Sequence, residues 1–220
     1  MAFKATFRNT IGAITVDGTY RNLQYFSKRV LSEGAVQTLP LSAPMPNLWA
    51  LHSPSGIMMC PAYVAGAGQN SPSDVWSIVG SGERYEFCDK DIIRATHGIN
   101  IYSETTGKLV FSSNIKPMRV VDMIAGVAPN LDEGFVLLDK YYDINNPLNS
   151  PKKYAVVMGS IPMRFSAGSN INTYCPKIIT ELNSHVKISM ELMTYRDAGR
   201  YRGTVQTLNY SFLVVDVTGY

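Results

Sequence analysis

Bulky apolar residues return at every second position in several stretches of this chain, the period of strands with one covered and one open face. The pattern is cleanest over residues 98–124, GINIYSETTGKLVFSSNIKPMRVVDMI. There Ile99 and Ile101, then Leu109 and Phe111, flank the polar loop Glu104-Thr105-Thr106-Gly107, which predicts a hairpin. Pro117 cannot donate to a ladder and so belongs at the entry of a third strand, Met118 to Ile124. The expected result is a three-stranded meander whose core residues are Ile99, Ile101, Leu109, Phe111 and Val120.

The same signals recur on both sides. Asp17-Gly18 between ITV and TYRNLQYF predicts an early hairpin, and Gly80-Ser81-Gly82 between Val75–Val79 and Glu83–Phe87 predicts another, with Trp76 and Tyr85 as cross-strand partners. Pro40, Pro44, Pro46 and Pro54 mark an extended crossing that holds one short strand, Asn47–His52, and Ile57–Tyr63 is expected to pair back onto it. Residues 65–74 read as a long loop. Gly134–Tyr142, Tyr154–Met163, the alternating run around Val186–Leu192 and Tyr201–Val217 read as further strands, and the last two as a closing hairpin through Asp197-Ala198-Gly199. A helical period arises only over Pro176–Leu182, where a short strand fits as well. The chain is therefore expected to be all-β, an antiparallel β-sandwich or jelly-roll-like fold with little or no helix. Residues 1–220 form one β-rich domain, with a soft division near 126 into two β subdomains. Tyr20–Val30 and Tyr201–Val217, mixed in polarity on both faces, are the expected interface strands.

Composition narrows the function classes. A net charge of +3 is too slight to drive non-specific binding to nucleic acid. No window approaches the ~18 consecutive apolar residues of a spanning helix, and MAFKATFRNTIGAITVDG lacks a signal-peptide pattern, so synthesis in a cytoplasm without membrane insertion is expected. Cys60, Cys88 and Cys175 are odd in number and widely spaced, which predicts buried reduced thiols. Charged residues make up only 17%, alongside 13 Tyr, a balance suited to an assembled subunit.

Catalytic chemistry finds little local support. His52, His97 and His185 have no metal-ligand spacing, and Gly159-Ser160-Ile161-Pro162 lacks the closing glycine of a nucleophile elbow. Asp89 and Asp91 fit a solvated turn better than a pair of general acid and base. Gly80-x-Gly82 is followed by neither a third glycine nor a helix, as a phosphate loop requires. No catalytic, cofactor-binding or metal-binding residue and no cofactor is assigned. The densest basic and aromatic group is Tyr195, Arg196, Arg200, Tyr201 and Arg202, which fits a subunit interface better than a ligand site.

The segment GINIYSETTGKLVFSSNIKPMRVVDMI, with ITVDGTYRNLQYFSKRV earlier, resembles the strand pattern of small tail proteins of tailed bacteriophages. The resemblance implies a non-enzymatic virion component synthesised in the host cytoplasm. Its place would be the tail tip, baseplate or fibre attachment, with roles in assembly and host attachment. It would be a homo-oligomer in contact with other phage tail proteins. Carbohydrate recognition of a bacterial surface glycan through Trp, Tyr and Arg side chains is the first alternative, and a cell-envelope glycan-degrading enzyme built on distant carboxylates the second.

Overall fold

The computed structural model describes residues 4–9, 12–17, 23–32, 47–61, 76–88, 97–103, 106–107, 109–114, 116–142, 152–167, 170–182, 184–196 and 203–220. Among them every regular element is a strand, and all strand pairs are antiparallel. Six strands form one sheet, in the order β10 (Arg119–Val127), β17 (Asn209–Asp216), β12 (Tyr154–Ser160), β4 (Asn47–His52), β7 (Gly82–Cys88) and β3 (Gln24–Leu31). The second sheet runs β11 (Val136–Tyr141), β15 (His185–Arg196), β14 (Asn170–Thr180), β13 (Met163–Ala167) and β16 (Gly203–Thr207). In that sheet β5 (Ile57–Pro61) also pairs with β14, and β6 (Trp76–Gly80) pairs with β5. Two hairpins stand apart, β1 (Lys4–Asn9) with β2 (Gly12–Asp17), and β8 (Asn100–Tyr102) with β9 (Leu109–Ser112). The all-β sandwich expected from alternation is the fold.

Two long bent ribbons connect the sheets. In the first, β4 pairs with β7 in the six-stranded sheet, His52 opposite Glu83, and β5 continues the pairing with β6 in the other sheet, Ile57 opposite Gly80. In the second, β12 pairs with β17 up to Ser160 opposite Ser211, and β13 takes over with β16, Met163 opposite Thr207. Strands that bend from one sheet into the other make the corners of such sandwiches. The first corner needs glycine. Gly80 has φ +112°, and a Cβ there would lie 2.4 Å from the carbonyl oxygen of Gly56. Ser53 closes the same corner by donating its hydroxyl to the Ser81 carbonyl at 2.5 Å.

Between the sheets lies a core of Leu31, Leu51, Val156, Phe212 and Val214 from one side and Ile57, Ile178, Val186 and Ile188 from the other. The six-stranded sheet also buries its opposite face, around Ala50, Tyr85, Phe87, Val157 and Val215. It can do so because its two edges are tied at one end: Tyr25 N–H donates to the Lys116 carbonyl at 2.8 Å and Met118 N–H to the Leu23 carbonyl at 2.7 Å. The sheet thus curls, and residues 217–220 close the concave side. Tyr220 stacks on Tyr25 at 5.3 Å between ring centroids and meets Phe87 edge-on at 6.0 Å. Its hydroxyl donates to the Pro117 carbonyl, and Arg119 lies over its ring.

Several expected pairings are replaced. The hairpin β8–β9 forms, but β10 leaves it to pair with β17, so there is no meander. Ile99 is 53% exposed and Val120 49% exposed, which removes both from the expected core. The side chain of Phe111 lies outside the described residues, and Ile101 and Leu109 are half-buried. Of the hairpin expected at Asp17-Gly18, residues 18–22 lie outside the described residues; among the described ones β2 pairs back onto β1 and β3 pairs with β7. Gly80-Ser81-Gly82 is a corner and no hairpin turn, since β6 and β7 belong to different sheets. β5 likewise pairs with β6 and β14 and leaves β4 to β7. Residues 176–180 are strand, within β14. Pro176 sits between the stretch of β14 that pairs with β13, ending at Tyr174, and the stretch that pairs with β5, beginning at Lys177. A residue without an N–H is tolerated in that gap. The expected turn Asp197-Ala198-Gly199 lies outside the described residues; among the described ones β15 pairs with β11 and β14, while β16 pairs with β13.

Candidate interaction surface

Two strands at one margin of the sandwich lack a second neighbour among the described residues: β10 pairs only with β17, and β11 only with β15. They follow each other in sequence and stack one over the other. Asp122 of β10 accepts hydrogen bonds from Lys140 Nζ at 2.7 Å and from the Tyr142 hydroxyl at 2.9 Å. The Lys140 bond, ahead of that from Tyr142 and against some burial, holds the Asp122 carboxyl below the usual aspartate range. Burial and the Asp122 carboxylate push the Tyr142 phenol up in turn. This pin fixes β10 over β11 in one place.

Strand β10 alternates as a two-faced strand should. Ile124, opposite Phe212, packs into the core between the sheets. Its neighbours point away: Met123 is 67% exposed and Val127 63% exposed, with Val121 also exposed behind a bulge between Val120 and Asp122. Val136 and Tyr141 continue the apolar exposure along β11. The margin therefore combines an open row of backbone donors and acceptors with apolar side chains, and it carries one internal ion pair. Such an edge is a template for strand addition. At the far end of β11, Tyr141 stacks on His185 at 4.2 Å, and His185 Nε2 lies 2.7 Å from Asp139 Oδ1.

The residues singled out from the sequence fall elsewhere. Tyr195 and Arg196 end β15, opposite Ile171 and Asn170, with their side chains outside the described residues. Arg200, Tyr201 and Arg202 lie outside the described residues altogether, as do Asp89, Asp91 and the loop at 65–74. Of the two expected interface strands, β3 is an edge, whereas β17 is held between β10 and β12 and offers no free edge. Trp49 does not present an open ring: the Arg84 guanidinium covers it at 4.4 Å, and its Nε1–H donates to Glu86 at 3.1 Å. His52 is buried, with Nδ1 2.8 Å from the Tyr154 carbonyl and 2.7 Å from Thr180 Oγ1, and burial lowers its basicity. That histidine joins the sheets and is structural. Cys88 and Cys175 are buried thiols outside any disulfide, and Cys60 contributes only its backbone to the description.

The apolar edge was visible in part, since Val120, Val121, Met123 and Val127 stand out in the sequence. Alternation alone could not tell which face of β10 would be covered. No family model, no curated protein and no solved structure matches the chain.

Proposed function

We propose that this chain is a non-enzymatic structural component of a bacteriophage tail, placed at the tip, baseplate or fibre attachment. It works by assembling with copies of itself and with other tail proteins. The observation that carries the reading is the β10–β11 margin, a strand edge without a further partner among the described residues, on which Met123 and Val127 are exposed. A lone soluble domain gains nothing from such an edge and normally blunts it with charge or a covering segment. Edge-to-edge pairing between copies would bury these side chains and use the open backbone groups. The strand pattern of residues 98–124, similar to small phage tail proteins, supplies the virion context.

Light scattering coupled to size exclusion over rising concentration tests the assembly. The natural sequence is expected to form a defined oligomer, and Met123→Glu to remain monomeric with its fold intact. Mass spectrometry of purified virions tests the context. A chain that is monomeric at every concentration and absent from virions would overturn the reading.

A further inference from the structure

The face of β7 that looks toward the second sheet carries a charge without adequate partners. Arg84 is only 3% exposed, opposite the core residue Leu51 on β4 and opposite Arg29 on β3. Its Nε is fully buried and has no hydrogen-bond partner. Its ion pair with Glu86 is long, with Glu86 Oε1 3.8 Å from Arg84 Nη2, beyond hydrogen-bond distance. Glu86 is engaged by others, accepting from Trp49 Nε1 and from the Ser27 hydroxyl. The guanidinium carbon stands 4.4 Å from the centre of the Trp49 ring, a cation–π contact that takes none of the guanidinium's N–H donors. A buried guanidinium normally spends its donors on acceptors, because dehydrating a charge without them is costly.

We propose that Arg84 and Arg29 form a binding site for a carboxylate. Arg29 is exposed and stands opposite Arg84 in the β3–β7 register, on the same face of the sheet, close enough for its charge to lower the basicity of Arg84 after burial and against Glu86. The local charge decides the class of anion. Two guanidinium groups and the single Glu86 carboxylate sum to one positive charge, which one carboxylate neutralises and a phosphate dianion overfills. The narrow exposure of Arg84 likewise suits a small planar group, and the fork of Arg pairs with a carboxylate through two parallel bonds. The ligand is a small carboxylic acid, of which an acidic sugar is one example.

Thermal unfolding of the full chain in sodium acetate or sodium glucuronate, against sodium chloride of matched ionic strength, tests the site. Both carboxylates are expected to raise Tm in a saturable way, and phosphate to raise it less. Arg84→Met should abolish the carboxylate-specific rise. Arg29→Gln, at an exposed position that leaves folding undisturbed, should weaken the fitted acetate affinity by at least about tenfold, and this variant decides the matter should Arg84→Met fail to fold. A Tm that follows ionic strength alone, a rise that survives either substitution, or phosphate outperforming both carboxylates would overturn the assignment.

Discussion

The two faces of β7 are both buried, and they handle charge in opposite ways. On the concave face of the six-stranded sheet, Glu83 accepts from the Tyr85 hydroxyl and from Lys153 Nζ at 2.5 Å, with Lys28 3.7 Å away. Tyr85 is fully buried beneath the flanking ammonium groups of Lys28 and Lys153. On the other face, Arg84 has a buried Nε with nothing to donate to and a carboxylate held off at 3.8 Å. Adjacent residues of one strand thus belong to a closed polar network and to an open one. A closed network adds to stability because each member's lost hydration is replaced, whereas an open one subtracts from it until something completes it.

The largest effect is expected where the closed network is broken. Glu83→Leu leaves the Tyr85 hydroxyl and Lys153 without their acceptor and should cost about 2 kcal/mol, read as a lower urea midpoint at unchanged slope. A loss no greater than that of an exposed-surface change would show that the Glu83 network contributes nothing. Arg84→Met should move the other way, by about 1 kcal/mol, because the replacement keeps the packing volume and removes an undercompensated charge. Destabilisation by that substitution would mean that Arg84 is satisfied in solution and that the contrast between the faces is false. Tyr85→Phe removes one donor and leaves Lys153 on Glu83, so its expected cost is smaller, about 0.5 kcal/mol.

The last test is a titration into acid, where the contribution of the Glu83 carboxylate, fully present at neutral pH, is lost. Burial alone would raise the Glu83 carboxyl, but the hydrogen bonds from Lys153 and Tyr85, with the charges of Lys153 and Lys28, hold it below the usual glutamate range. A carboxyl depressed in the folded state contributes stability that is present above its unfolded value, 4.5, and is lost as pH falls through the folded one. Urea midpoints of the natural chain should therefore fall below about pH 4.5 more steeply than those of Glu83→Gln. Arg84→Met should keep the steep limb, since its face of β7 does not contain this carboxylate. Identical acid limbs for the natural chain and Glu83→Gln would remove Glu83 from the network.

The candidate surface and the fold were legible to different degrees. Asn47–His52 was readable as a strand because prolines and a Pro-Ser-Gly turn bound it, and it is β4 with those limits. Gly80-Ser81-Gly82 was readable as a bend but not as a corner, because a hairpin turn and a strand changing sheets both need a glycine backbone; only Gly56, brought against Gly80 from 24 residues away in the chain, distinguishes them. The apolar residues of β10 promised burial, yet Val120, Val121, Met123 and Val127 are exposed and only Ile124 reaches the core, because β17 covers one edge of that strand and the second sheet one face. Arg84 gave no signal, since an arginine that follows Glu83 and shares a strand face with Glu86 reads as surface.

By itself the sequence determined an all-β chain, most of its strands and the residues that share each strand face, because alternation at period two is a local property of an extended backbone. Only the tertiary structure decided the partners. Strand pairing joins distant segments, so it made β17 central, tied β3 to the entry of β10, bent two ribbons across both sheets, and buried Arg84 beside Trp49 while leaving Met123 outside.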